Sequence, residues 1–385
     1  MKNINLGPQE LELTQNLRAT IITQIKANHG QIPVSSYIQS ALYDPLYGYY
    51  NNQLPKFGKK GDFITAPLVS ELFALCLVRQ IVELWEQCLI ARNILEIGAG
   101  NGQLMVDLLL NLGNLVDNYY VVELSPAMVA IQKQIVYEKC PDLFYKVIWL
   151  PTLPDKFNGV IVANEVLDAQ PCEVILWDKC GIYQQMVSLD QDDNFIYVPQ
   201  LIESLELITL AQAIKIENTP YISEINLNNY QFIQNLAGIL TTGCILLIDY
   251  GYSASEYYSL NRYRGTLRGF FRQHQLDDIL VYPGLIDITS NVNFSAIAVN
   301  AIENELDLIG YTTQANFLLN CGLAQIVTKK RELVNGLEYL KLTNQVNHLT
   351  LPNEMGEIFK VIGFSKNIEF NDWLGFEQHD LTYTL

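Results

Sequence analysis

The sequence predicts an α/β fold built on a mostly parallel, doubly wound sheet. Its centre is Ile94 to Gly102, where an apolar run, Ile-Leu-Glu-Ile, breaks into the alternating glycines Gly98, Gly100 and Gly102. Apolar residues without polar alternation suit a strand covered on both faces, and Gln103 to Leu110 resumes at helical spacing. About twenty residues on, the run Tyr119 to Val122 delivers Glu123, placed as the acidic residue that accepts ribose hydroxyls in nucleotide-binding βαβ units. A later run, Gly159 to Ala163, opens into Asn164-Glu165-Val166-Leu167-Asp168. Carboxyl ends of strands carry the ligand site in such sheets, so Asn164, Glu165 and Asp168 are expected to face the crevice of Gly98.

The elements follow in order. Leu11, Leu13, Leu17, Ile21, Ile22 and Ile25 recur near helical spacing, with Pro8 suited to a first turn, so residues 8 to 28 read as an amphipathic helix. Tyr43 to Tyr50 packs four tyrosines around Pro45 and Gly48 and reads as a loop, either a packed turn or a lid that includes Tyr49. Gly58 to Pro67 is a second irregular segment, in which Asp62 or Thr65 could reach a ligand; a plain helix entry is the alternative. A helix is expected over Ser70 to Leu89, and another from Ser125-Pro126 to Val136. The segment Tyr145 to Leu150 is a third strand of the sheet.

From Cys172 the pattern turns to β-branched and aromatic residues with turn signals at 178–181 and 190–194. This predicts an antiparallel insertion over about 172–200, with strands Glu173–Trp177, Ile182–Leu189 and Phe195–Val198. Residues 202 to 216 look helical, Tyr221 to Ile225 extended, and Asn229 to Leu240 helical. Gly243 to Ile248 is a buried strand ending in Asp249-Tyr250, a further polar cluster at a strand's carboxyl end. Arg262 to His274 is the one locally basic run and could brace the crevice or be a solvated loop. Residues 295 to 341 are expected to be mainly helical, with Phe359 to Phe364 as a last strand. In domain terms this gives a helical and lid segment at 1–90, the nucleotide-binding domain at 91–300 and a helical segment at 301–385 packing on the core.

Composition narrows the class. The chain has 385 residues, 24 basic against 41 acidic, for a net charge of -17. That balance disfavours a nucleic-acid or anionic-membrane surface and suits a basic partner or simple solubility. The seven cysteines form no C-x-x-C pair and the four histidines are isolated, so neither disulfides nor a metal site is indicated. No apolar run reaches membrane-spanning length and Met1 to Leu6 carries no signal-peptide core, so a reducing cytoplasm is the expected location.

The glycine spacing departs from the dinucleotide fingerprint, because position 103 is Gln and the third glycine is at 102. Glu96-x-Gly98-x-Gly100-x-Gly102 instead resembles the S-adenosylmethionine (SAM) loop of class I methyltransferases, whose fold is Rossmann-like. A ligand-free glycine turn is the alternative for these residues taken alone. The chain as a whole resembles the MidA-like methyltransferases, a family that includes a mitochondrial protein arginine methyltransferase assisting complex I assembly. The resembling segments are Leu42-x-x-Pro45-x-Tyr47-Gly48-Tyr49-Tyr50, Gly61-Asp62-Phe63-Ile64-Thr65-Ala66-Pro67, Glu96 to Gly102, Val122-Glu123-Leu124-Ser125 and Asn164-Glu165-Val166-Leu167-Asp168-Ala169-x-Pro171. Asp249-Tyr250-Gly251, Gly265-Thr266-Leu267 and Pro283-Gly284-x-x-Asp287-Ile288-Thr289 follow. The chain departs from the family pattern at Leu68, Asn291 and Asn293, which speaks against acid–base roles at those positions and leaves the cofactor loop intact.

The resemblance implies SAM as cofactor, on Glu96, Gly98, Gly100, Gly102, Glu123 and Leu124, and a protein with an accessible arginine as acceptor, in a complex I subunit or its bacterial counterpart. A guanidinium is a poor nucleophile while protonated, so a carboxylate should hold it and take its proton. Glu165 is the expected base, with Asp168 and Asn164 beside it and Tyr49, Asp62, Thr65, Glu224, Asp249 and Tyr250 as substrate or lid candidates. Two other functions fit the same fold: a non-catalytic assembly protein and a small-molecule methyltransferase.

Overall fold

The computed structural model describes residues 6–52, 54, 65–272, 274–370 and 372–385. These form two compact units made of interleaved stretches of chain: residues 1–63, 168–231 and 255–291 in one, and 64–167, 232–254 and 292–385 in the other. The units therefore do not follow three consecutive segments at 1–90, 91–300 and 301–385.

The second unit contains the predicted sheet. Its strands are β1 (Asn93–Ile97), β2 (Asn118–Val122), β3 (Val147–Leu150), β4 (Phe157–Asn164), β5 (Leu240–Tyr252), β6 (Asp307–Thr313) and β7 (Phe359–Lys366). They lie in the order β6-β7-β5-β4-β1-β2-β3, and Val292–Asn293 adds a short parallel pairing to β5. The neighbours from β5 through β3 are parallel, with Ile94 opposite Val160 and Ile97 opposite both Ala163 and Val122. Strand β7 runs antiparallel to both β5 and β6. The strand order reverses between β1 and β4, the switch point at which such sheets bind ligands.

Burial explains the continuous apolar runs. Val160, Val162, Cys244, Leu246, Ile248 and Val361 enter one core cluster, while the alternate residues Ile161, Ala163, Ile245, Leu247, Ile362 and Phe364 enter another. Each strand thus buries side chains on both faces. Helices Glu71–Gln87 and Gln103–Leu112 supply the first cluster, and helices Leu227–Ile239 and Phe294–Glu303 supply the second.

The C-terminal region corrects the expectation of helix. Asp307–Thr313, Asp-Leu-Ile-Gly-Tyr-Thr-Thr, is strand β6, because its β-branched residues pair with β7 and bury Tyr311 and Thr312. With β7, the segment 301–385 completes the main sheet, although helices such as Gln314–Asn320, Leu323–Arg331 and Gly336–Thr350 also lie there.

The first unit opens with helix Pro8–Ala27, which buries Thr14, Leu17, Ile21 and Ile25 on one stripe. A second helix, Val34–Tyr43, precedes the tyrosine turn and was not foreseen, since its apolar residues are clustered and no side-chain cap marks its start. The antiparallel insertion is present as Glu173–Asp178, Gly181–Leu189 and Phe195–Leu201, extended by Tyr221–Ile225 and Gln31–Pro33. Part of the basic run forms a strand, Arg268–Phe271, between His274–Leu276 and Asp287–Thr289.

Candidate active site

The glycine loop leaves β1 with φ values that only glycine adopts at low cost: 67° at Gly98, 52° at Gly100 and 84° at Gly102. Gly98 N–H donates to Val122 O at 3.1 Å, and Gly102 N–H to Ala99 O at 2.8 Å, so the turn is pinned at both ends. A Cβ at Gly98 would stand 3.0 Å from Val166 Cγ2, and one at Gly102 would stand 3.1 Å from Ile135 Cγ2 and Met105 Cε. Close approach of backbone to neighbours is therefore built in at both positions.

Glu123 follows β2. Its Oε1 accepts Ser125 N–H at 2.9 Å and its Oε2 accepts the Gln132 side-chain amide at 3.0 Å. Burial raises its carboxyl pKa and these hydrogen bonds oppose the rise. Leu124 beside it is exposed. An oriented acidic acceptor, an exposed apolar side chain and a turn without Cβ atoms at 98, 100 and 102 fit the adenosine end of SAM: a ribose diol for Glu123, an apolar base face for Leu124. Asn164 Oδ1 is also buried with no hydrogen-bond partner among the described residues. A buried polar atom in that state suits a ligand donor.

Glu96 differs from the other expected cofactor residues. It is 3% exposed and accepts Tyr119 Oη–H at 2.6 Å. Burial pushes its pKa up to about 7, the Tyr119 bond opposes this, and the Glu123 charge adds to it. Glu96 thus belongs to the packed base beneath the turn.

At the end of β4, Asn164 Nδ2 donates to Glu165 Oε1 at 3.2 Å, and Glu165 N–H donates to Ile248 O at 2.9 Å. Glu165 has φ 54°, a left-handed conformation uncommon for a residue with a side chain and typical of sites where geometry is imposed. Asp249, 1% exposed, holds the turn that follows. Its Oδ2 accepts Val166 N–H at 3.2 Å and Leu167 N–H at 2.9 Å, and its Oδ1 accepts Tyr250 N–H at 2.9 Å. The Asp249 carboxylate is thus engaged by backbone N–H groups on both sides of the site. Tyr250 packs edge-on against Phe359 at 5.4 Å.

Of the remaining candidates, Asp168, Glu224 and Tyr49 lie in the first unit and Thr65 in the second. Asp168 is buried, and its carbonyl accepts Ser290 N–H at 3.0 Å. Glu224 accepts from Thr266 N–H, Thr266 Oγ1, Leu267 N–H and Tyr257 Oη, all at 2.8–3.1 Å, and so organises the 265–267 turn. Tyr49 is buried and edge-on to Tyr50 at 5.1 Å, as in a packed turn, while Tyr50 Oη donates to Asp287 Oδ1 at 2.9 Å. Thr65 precedes the short helix Ala66–Val69, whose Leu68 and Val69 N–H groups donate to its carbonyl. Asp62 lies outside the described residues. Asn293 caps helix Phe294–Glu303 by accepting Ala296 N–H at 3.2 Å. Two arginines of the basic run have carboxylate partners, Glu10 for Arg272 and Asp277 for Arg268.

Sequence reading missed Gln132. It is fully buried on helix Pro126–Lys139, between Met128 and Val136 on one stripe, and its amide reaches both Gly100 O and Glu123. A polar residue at a core position of an apolar stripe is the signal that would have found it.

Comparison with known proteins shows the family. A family model described as "Putative S-adenosyl-L-methionine-dependent methyltransferase" matches residues 76–312. The mitochondrial protein arginine methyltransferase NDUFAF7 of Xenopus laevis is 29% identical, over 92% of this chain and 85% of its own. The Caenorhabditis elegans homolog is 26% identical over 93% and 88%. A Burkholderia thailandensis crystal structure bound to S-adenosyl-homocysteine is 34% identical, covers 99% of this chain and 100% of its own, and superposes with a TM-score of 0.93.

Proposed function

The chain belongs to the MidA-like family of SAM-dependent methyltransferases, and from that premise we propose that it methylates an arginine of a protein substrate. The names of the NDUFAF7 relatives, shared over most of both chains, support an arginine acceptor. A complex I subunit or its bacterial counterpart is the partner that the family resemblance suggests. All seven cysteines are free thiols, which accords with work in a reducing cytoplasm.

SAM supplies an electrophilic methyl group already activated by its sulfonium. The chain's own task is to bind, orient and remove a proton. Glu123 accepts the ribose hydroxyls, and the glycine turn lets the cofactor approach the backbone. Glu165 takes the guanidinium. Its carboxylate pairs with one side of the planar fork, localises electron density on the attacking nitrogen and accepts the proton released as the nitrogen is methylated. Asn164, donating to Glu165 Oε1, orients that carboxylate.

The observation that carries this reading is the contact between the two halves of the site. A Cβ at Gly98 would meet Val166, the residue after Glu165, so the candidate base stands against the cofactor turn. In the test, the protein and labelled SAM are added to lysate, and labelled bands are digested and sequenced by mass spectrometry. Methylarginine in a protein band is the expected result; label confined to low-mass material would replace the protein acceptor with a small molecule. E165Q should lose roughly 100-fold or more in transfer while still binding S-adenosyl-homocysteine. Normal turnover in E165Q would remove Glu165 from the mechanism.

A further inference from the structure

We infer that Gln132 is a positioning residue that locks the glycine turn to the ribose-binding carboxylate, so that cofactor affinity depends on a side chain that does not itself contact the cofactor. The inference rests on SAM binding by this family and not on the identity of the acceptor.

The geometry is a closed set of hydrogen bonds. Gln132 Nε2 donates to Gly100 O at 2.8 Å and to Glu123 Oε2 at 3.0 Å, which uses both amide protons. Its Oε1 accepts the Trp149 indole N–H at 3.1 Å, so strand β3 holds the amide in one orientation. Gln132 is fully buried, and the methylene of its side chain lies 3.4 Å from the Cβ position of Gly102. One side chain therefore reaches the middle and the end of the turn, the carboxylate after β2 and the neighbouring strand. Glu123 has Ser125 N–H on its other oxygen. With both oxygens engaged, the carboxylate cannot rotate without breaking a bond in a buried setting, and its remaining lone pairs are held in fixed directions. A diol with two hydroxyls at fixed spacing is bound well only by a carboxylate so held. The chain could have satisfied Glu123 with water; a buried amide that also grips Gly100 couples the two cofactor contacts.

Q132M keeps the length and apolar bulk of the side chain and removes all three hydrogen bonds. Calorimetric titration with S-adenosyl-homocysteine should show affinity reduced by about tenfold or more. Steady-state kinetics should show a raised KM for SAM with kcat at saturation much less affected, and the change in Trp149 fluorescence on cofactor binding should differ from that of the wild type. Q132E keeps the acceptor for Trp149 and places a like charge against Glu123 near neutral pH. When the introduced carboxyl is protonated it regains one donor, so Q132E should recover affinity as pH falls from 8 to 5.5 relative to the wild type measured over the same range. That reference accounts for Glu96; Glu123, which the Gln132 amide holds down in the wild type, titrates as a pair with the introduced carboxyl in Q132E, and the recovery reads that pair.

A purely structural role would lower thermal stability in both variants and give no acid recovery. Unchanged affinity in a folded Q132M, or equal loss in Q132E at every pH, would overturn the inference. Failure of the wild type to bind S-adenosyl-homocysteine would overturn the cofactor premise, and the inference with it.

Discussion

Glu96 shows how a residue can carry a family motif while its chemistry is decided by burial. In an unfolded chain its carboxyl titrates near the ordinary value of 4.5, and in the fold near 7. Between those values the folded state holds the extra proton, so stability falls as pH rises through that window and the penalty is complete above it. E96Q keeps an acceptor for Tyr119 and carries no charge. It should be more stable than the wild type at pH 8, by roughly 3 kcal/mol at most, with the difference shrinking towards pH 4.5. Urea midpoints measured across pH 5 to 8 check this, and parallel curves for the two proteins would refute it. Sequence placed Glu96 correctly at the end of a buried strand. It could not show Tyr119, 23 residues on in the neighbouring strand, as its partner.

At the scale of elements, the turn after β4 is held by the end of β5. Asp249 takes three backbone N–H groups from residues 166, 167 and 250, and charge-assisted bonds of this kind are the strong ones. D249A leaves those N–H groups without their acceptor in a buried place. It should destabilise the protein by about 2–4 kcal/mol, while D249N, which retains an acceptor oxygen, should cost less. Denaturant titration of both variants gives the answer, and an unchanged midpoint in D249A would remove the clamp. The parallel strands were legible because both-face burial leaves unbroken apolar runs. Strand β6 and helix Val34–Tyr43 were not, because their patterns are short and their identity comes from what they pair with or pack against.

For the molecule as a whole, the acidic balance bears on the substrate. A net charge of -17 produces a long-range field that favours encounter with basic peptides and weakens with salt. For an arginine-bearing peptide flanked by lysines, KM should rise severalfold between about 50 and 300 mM salt while kcat stays near constant. A peptide with neutral flanks should show a smaller rise. Equal salt dependence for the two peptides would assign the acidic surface to solubility alone. Domain organisation is not written in any local stretch of the sequence. The two compact units are assembled from stretches far apart in the chain, and no local composition change marks where the chain passes from one to the other.

The sequence by itself determined the strand–turn–helix around Gly98, the acidic end of the next strand at Glu123, the candidate base at Glu165 and the family. The first three are written in a few consecutive residues whose types are constrained by local backbone geometry, and the family in an ordered set of such segments from Leu42 to Thr289. Tertiary structure decided which carboxylates are available for chemistry. Asp249 and Glu224 hold backbone N–H groups and Glu96 holds Tyr119, while Glu123 is oriented by Ser125 and Gln132 with lone pairs left for a ligand. Hydrogen-bond saturation and desolvation depend on neighbours brought in by the fold, and no spacing along the chain encodes them.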